Sequence, residues 1–338
     1  MPLAHAGQLD PLLGPKGART ERHGWHAVHP ADPDSVALLV RTLSGWGLPV
    51  RTEASGRRPE GREGIFLRHP PPGGPRLDDV SGLVRVDAGL GLDELERFLR
   101  PRGWTLTGVG WDAPRLPVGT WLETGGRGLP WPAALALPPR AIRFQAVLAD
   151  GTEVEDGRAP RSAAGPDVRG LWIGAGGAFG VLLGAELSLH RLGSTRTAWL
   201  WSGDPAELAA AAGELARVRG PGGLGLLAPP GGLVYAGSGE AILLESRAAH
   251  AGRLLGRPGE PRRGEAFDEL GRELGRPVAG WIEDDPFFGP RSRSAETRLT
   301  AREAGEWIRG RTGEWLVAVE SPRAFRALSA GAPRAPAR

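Results

Sequence analysis

Cysteine is absent from the 338-residue chain, which excludes disulfides, thiolate metal sites, cysteine nucleophiles and thiol-linked cofactors. Lysine is almost absent too: Lys16 is the only one among 42 basic residues. Positive charge therefore rests on arginine, which stays protonated far above neutral pH. Against 39 acidic residues the net charge is only +3, too balanced for the basic footprint of a nucleic-acid-binding protein. No apolar run reaches the roughly 18 to 20 residues of a membrane span. Met1 to Arg22 lack the continuous apolar stretch of a signal peptide, so a cytoplasmic location is expected.

What the chain has in excess is 53 Gly and 32 Pro, a proportion that borders on low complexity. Yet 40% of it is hydrophobic and 12 residues are Trp, which points to a folded chain with many tight turns. Its length fits about two domains.

Residues 1 to 27 are polar and without period, which predicts a loose leader. Val36, Leu38, Leu39, Leu43 and Trp46 then recur at helical spacing, with Asp34 or Ser35 as cap and Gly45 and Gly47 before Leu48-Pro49-Val50. Strands are expected from Gly64 to Arg68 and Gly82 to Asp87, and an amphipathic helix from Leu92 to Arg100 with Gly103 past its end. A strand from Ile142 to Ala149 turns at Ala149-Asp150-Gly151 into Thr152 to Glu155. Asp167 to Trp172 reads as a helical turn, Gly174 to Gly180 as a glycine loop and Val181 to Leu192 as a strand. The stretch from 105 to 139 has little period, and irregular segments of that length are usually functional or disordered.

The second half predicts strands at Thr197 to Trp201, Gly223 to Leu227, Ala241 to Glu245 and, last, Trp315 to Val319. Helices are expected from the Asp204 cap and Pro205 to Arg219, from Arg247 to Leu255 and from Glu265 to Leu274. That order predicts a small antiparallel sheet with helices on one face, and a flexible tail after Ala330.

Several residues invite a chemical reading. Gly174-Ala175-Gly176-Gly177-Ala178-Phe179-Gly180 lets backbone approach a phosphate or flat cofactor, or simply makes a tight turn. It is neither a Rossmann nor a Walker fingerprint. His23, His26 and His29 form a ladder without a carboxylate, read as solvated loop histidines. His69, His190 and His250 are scattered, each a general base only if the fold carries it to a reacting group. Glu283-Asp284-Asp285 reads as a solvated loop before Pro286. Trp104, Trp111, Trp121 and Trp131 either line an aromatic site or pack a core or interface, packing being the default.

The order of these pieces carries more than any one of them. Asp32 to Val50, Val84 to Gly89 leading into Leu92 to Leu99, Pro117 to Leu122, Val147 to Thr152, Ala164 to Gly174 and Gly177 to Val181 together resemble the FAD-binding domain of the vanillyl-alcohol oxidase type, the PCMH-type FAD-linked oxidases. The resemblance covers about residues 29 to 192 and is similar, within that family, to the FAD-binding subunit of bacterial glycolate oxidase. It implies an α+β fold: a PCMH-type FAD-binding domain of two α+β subdomains at 28 to 193, then a small antiparallel α+β cap-like domain at 194 to 330. It implies FAD as cofactor, with Gly89 at a strand-to-helix turn, Gly119 and Thr120 facing the cofactor, and Gly125, Gly126 and Gly128 in the following glycine loop. Gly174, Gly177, Gly180 and Val181 match the last cofactor-proximal loop and strand.

The family's pyrophosphate loop falls at Arg51-Thr52-Glu53-Ala54-Ser55-Gly56, which is degenerate: it has one glycine, and Glu53 sets a carboxylate where two phosphates would lie. Thr120, Pro166 and Gly176 stand where the family has Gly, Tyr and Glu. Two functions follow as expectations. One is an FAD-dependent oxidoreductase subunit that oxidises a small 2-hydroxy acid such as glycolate or lactate, with larger flavin or iron–sulfur oxidase subunits as partners. The other is a non-catalytic flavoprotein-fold subunit that scaffolds a catalytic flavin subunit. No catalytic residue is singled out, and no metal is expected.

Overall fold

The computed structural model describes residues 6–15, 17–22, 25–52, 64–106, 111, 113, 115–124, 141–156, 172–217, 223–227, 232–275, 282–285, 289–292, 295–299, 315–318 and 325–329. Helix α1 (Ala6–Leu9) and a 3-10 turn (Asp10–Leu13) lead into strands β1 (Ala18–Arg22) and β2 (Trp25–His29), which pair antiparallel. Leu9 and Leu13 are buried in the same core as Val28, Leu39 and Leu43. The described part of the expected leader is thus structured. Its elements are short, and the buried side chains described there are Leu9, Leu13, His26, Ala27 and Val28, too few and too unevenly spaced to show an apolar period.

Helix α2 (Pro33–Gly45) is capped by Asp32, whose carboxylate accepts the Ser35 N–H at 2.7 Å. Asp32, not the expected Asp34 or Ser35, is the cap because it alone keeps extended backbone just outside the first turn. That hydrogen bond holds the Asp32 carboxyl below the usual carboxylate range. Val36, Leu39, Val40 and Leu43 face the core while Leu38 is exposed. Strands β3 (Val50–Thr52) and β4 (Gly64–Leu67) run parallel, and the sheet order is β1-β2-β4-β3.

The next stretch adds β5 (Arg76–Asp78), β6 (Leu83–Asp87), α3 (Leu92–Leu99), β7 (Trp104–Thr105), α4 (Val118–Glu123), β8 (Ala141–Leu148), β9 (Glu153–Asp156) and β10 (Gly180–Ser188). Five of these strands form an antiparallel sheet in the order β5-β6-β10-β8-β9. Period-two alternation from Val181 to Leu183, and a one-residue register shift before Gly184 that inverts the faces beyond it, let β10 serve two cores at once. Val181 and Leu183 pack with α2 and β4, while Leu182, Ala185 and Leu187 pack with Leu92, Leu95 and Leu99 of α3 and Trp121 of α4. The layers are therefore a mixed sheet with α2, the five-stranded sheet, and α3 with α4.

After β11 (His190–Arg191), which pairs β7, the chain forms β12 (Thr195–Ser202), α5 (Pro205–Arg217), β13 (Gly223–Leu227), β14 (Gly232–Gly239), α6 (Ala241–Leu255), β15 (Glu260–Arg263) and α7 (Glu265–Gly275). Strands β16 (Ile282–Asp285), β17 (Gly289–Ser292), β18 (Ala295–Leu299), β19 (Trp315–Ala318) and β20 (Phe325–Ser329) follow. Seven strands build one antiparallel sheet, β15-β12-β14-β13-β19-β20-β18, larger than the small sheet expected.

Three expectations are corrected here. Ala241 to Glu245 opens α6 and is not a strand: Ile242 and Leu243 are exposed and Leu244 buried, the helical pattern that a short apolar run conceals. The strand lies in the preceding glycine-rich segment, β14. Likewise β20 follows β19, and Glu283 to Asp285 are strand β16, not a loop.

Trp111 anchors the first half of the chain to α7. Its indole Nε1 donates to the Phe267 carbonyl at 3.1 Å, its ring lies 5.3 Å from the Phe267 ring, and a side chain on Gly271 would collide with it. Trp104, Trp111 and Trp121 are all buried, which is the packing role; Trp131 lies outside the described residues.

Tyr235 on β14, the only tyrosine of the chain, is buried and stacks on Trp199 at 5.6 Å. Burial pushes its phenol up from 10.0 to about 12, against the opposing pull of the Arg247 guanidinium. A raised acid pKa contributes stability that is complete below pH 10 and is lost as pH rises towards about 12. An ultraviolet titration is expected to show tyrosinate forming near pH 12 in the folded protein, and about two units lower in guanidinium. Equal midpoints in the two would contradict this burial.

Candidate cofactor site

The site is assembled on β10. Between Leu182 and Gly184 its register against β8 shifts by one residue, and β6 ends where Asp87 pairs Gly184. A bulge of this kind releases backbone groups from the ladder and re-aims them. The Leu182 N–H donates to Glu123 Oε1 at 3.3 Å, and the Leu182 carbonyl accepts from His69 Nδ1 at 3.0 Å. One strand residue thus holds two polar side chains that are 54 positions apart in sequence.

Glu123 ends α4 and is buried. A buried carboxylate is costly unless hydrogen-bonded, and besides the Leu182 N–H it takes the Thr52 hydroxyl, which donates to Oε2 at 2.7 Å. The backbone continues the connection. Gly176 N–H donates to the Glu123 carbonyl at 2.8 Å and Gly174 N–H to the Leu122 carbonyl at 2.9 Å, so the C-terminal carbonyls of α4 hold the glycine loop.

At two glycines an added side chain would strike a polar residue of the site. At Gly177, φ is +75° and a Cβ would sit 2.5 Å from Thr52 Oγ1. At Gly119 a Cβ would sit 2.5 Å from both Cε1 and Nε2 of His69 and 2.8 Å from Ala88 Cβ. The imidazole therefore rests directly on the backbone of the first turn of α4.

The other expected positions are less central. Gly89 is packed against the Pro70 carbonyl and Gly180 against the Val147 carbonyl. Thr120 is buried in α4, where its carbonyl accepts the Thr124 hydroxyl at 2.8 Å. Val181 points into the α2 core, away from Leu182, because adjacent strand residues face opposite sides; as a side chain it belongs to the core. Gly125, Gly126 and Gly128, and Glu53 to Gly56 of the expected pyrophosphate loop, lie outside the described residues.

Glu123 and Leu182 went unnoticed in the sequence, and His69 was one histidine among several. The signal for Glu123 was available: it is the one charged residue in the apolar helix Val118-Gly119-Thr120-Trp121-Leu122-Glu123. His190 is exposed on β11, and His250 lies 3.4 Å from Arg253 on α6. His26 is buried on β2 with its Nδ1 3.0 Å from Arg19, so it is not the solvated loop residue expected; His23 lies outside the described residues. No cluster of metal-ligating side chains occurs among the described residues.

No family model matches the chain. The uncharacterized FAD-linked oxidoreductase YgcU of Escherichia coli (strain K12) is 36% identical over 102 residues, which is 30% of this chain and only 21% of that relative. Among solved structures, alkyldihydroxyacetonephosphate synthase superposes with a TM-score of 0.65 at 13% identity, covering 89% of this chain and 68% of that one. The 4-ethylphenol oxidase from Gulosibacter chungangensis gives 0.62 at 14% identity, with 91% and 75% covered. Berberine bridge enzyme from Eschscholzia californica gives 0.58 at 14% identity, with 90% and 70% covered. Identities this low speak to architecture alone, and on that ground the chain has the PCMH-type, vanillyl-alcohol oxidase-like fold of FAD-linked oxidoreductases.

Proposed function

We propose that this chain binds FAD and serves in an oxidoreductase that oxidises a small 2-hydroxy acid such as glycolate or lactate. The observation that carries the reading is the meeting of three segments around the Leu182 backbone: the end of β3 at Thr52, helix α4, and the glycine loop at 174–180. The sequence resemblance assigns all three to one cofactor. Gly174, Gly176 and Gly177 all have positive φ, which leaves a backbone surface free of side chains. Phe179 is half exposed with its ring 6.4 Å from Trp172, an apolar face beside that backbone for a flat group to cover.

On this reading Gly119, Gly174 and Gly177 would line the cofactor, with Thr120, Gly89 and Gly180 setting the backbone behind them. Bound FAD would supply the two-electron acceptor for oxidation of a C–H bond. The chain's own work is to hold the ring and the substrate in place and to exclude water. The division at residue 193 into a flavin domain and a cap, a cytoplasmic location and a larger flavin or iron–sulfur partner subunit belong to the same proposal. No helix among the described residues is long and apolar enough to cross a membrane.

One observation favours the second reading, a scaffold subunit that has lost the cofactor. The Thr52 hydroxyl, a donor in the expected pyrophosphate loop, is taken by the Glu123 carboxylate, which also holds the Leu182 N–H. Purified protein separates the two readings. A flavoprotein is expected to take up added FAD, with absorption bands that glycolate or lactate bleach in the absence of oxygen. Protein that stays colourless after incubation with FAD would sink the first reading, and FAD uptake the second.

A further inference from the structure

His69 is held on one side only. Its Nδ1 lies 3.0 Å from the Leu182 carbonyl, which can only accept, so Nδ1 carries a proton and the neutral ring keeps its lone pair on Nε2. That Nε2 is shut off from solvent and has no hydrogen-bond partner among the described residues. It lies against Gly119, the glycine that the cofactor reading places beside the flavin. A buried polar atom left without a partner is a standing cost, and native structures rarely keep one without a reason.

The ring cannot turn away to resolve this. Rotation that freed Nε2 would give up the Leu182 hydrogen bond, and Gly119 and Ala88 close the space beside it. Neither neighbour offers a donor: the Gly119 N–H is spent on the Ala88 carbonyl at 2.8 Å, and Ala88 has no polar side chain. What would satisfy the atom is an N–H or O–H donor brought by a ligand.

We propose that His69 is a cofactor-positioning residue whose Nε2 accepts a hydrogen bond from bound FAD. The inference rests on the flavin reading above and adds to it one residue and one atom. FAD carries such donors on its ring edge and on its ribityl chain, and a neutral imidazole fixed by Leu182 distinguishes a donor from an acceptor at that point. The bulge in β10 gains a purpose from this: by releasing the Leu182 carbonyl it sets the tautomer of the ring that would meet the ligand.

The test uses the full chain with histidine labelled by nitrogen-15, observed before and after FAD is added. His69 is assigned by comparison with His69→Gln. Without FAD its Nε2 is expected at the position of an unprotonated ring nitrogen, and with FAD it should shift as a hydrogen-bond acceptor does. In parallel, His69→Leu should weaken FAD binding about tenfold, the size of one desolvated hydrogen bond, while His69→Gln, whose amide oxygen can accept, recovers most of the affinity. Urea midpoints of the FAD-free variants check that each is folded, and the resonance of the unmutated protein does not depend on them. If that protein takes up FAD but the Nε2 signal stays put and His69→Leu binds equally tightly, this inference alone falls. If it takes up no FAD at all, the flavin reading falls with it.

Discussion

Replacing Gly177 with valine is expected to abolish FAD retention and to lower the stability of the protein. The backbone there has φ +75°, where a β-branched residue is strained by about 1–3 kcal/mol. The new Cβ would also lie 2.5 Å from Thr52 Oγ1 and 3.0 Å from Thr52 Cγ2, and overpacking of that kind adds roughly 1–3 kcal/mol. Thr52 is not free to yield, because its hydroxyl is engaged by Glu123. Moving it disturbs Glu123, and through Glu123 the Leu182 backbone and the glycine loop. FAD content after gel filtration, beside a urea titration of the FAD-free protein, reads both effects. A Gly177→Val protein that retains FAD as well as the unmutated chain would show that this loop does not line the cofactor.

Trp111→Ala is the substitution expected to cost the most stability, about 3–5 kcal/mol. The indole is buried, lies tilted against the Phe267 ring and donates to the Phe267 carbonyl. Its removal leaves a cavity and one hydrogen bond fewer where the first half of the chain meets α7. Because the lost contact joins distant segments, the urea transition is expected to broaden or split as well as move. Trp111→Phe, which keeps most of the volume but not the N–H, should lose clearly less. Similar urea midpoints for Trp111→Ala and the unmutated protein would mean that the indole does not bear on the junction.

Much of the scaffold was legible because local chemistry and tertiary packing agree. Leu92, Leu95 and Leu99 predict α3 and its buried face, and Gly103 has the left-handed conformation at the end of the 3-10 turn, Arg100–Arg102, that extends it. Asp150 and Gly151 make the turn between β8 and β9, with Asp150 accepting the Thr152 N–H at 2.8 Å. Asp204 caps α5 through the Glu207 N–H. These signals act within a few residues, where spacing is informative. β14 was missed because its glycines resemble a loop, and what makes it a strand is its burial between β12 and β13.

The site was less legible for a related reason. Thr52 and Glu123 are 71 residues apart and His69 and Leu182 are 113 apart; no local pattern marks either pair. The ordered resemblance located the segments that meet, and glycine positions such as 119 and 177 followed from it. It did not identify the polar side chains between them, since those depend on a bulge that leaves no mark in a run as ordinary as Val181-Leu182-Leu183.

That bulge has a consequence for error during folding. β10 supplies Val181 and Leu183 to one core, Leu182, Ala185 and Leu187 to the other, and both Leu182 backbone groups to Glu123 and His69. If β10 paired one position out of step, each of these side chains would turn to the wrong core, and the two polar groups would lose their anchor in the same event. A misaligned chain therefore has no partly correct version of the site to settle into: forming the right pairing of β10 and assembling the site are the same step.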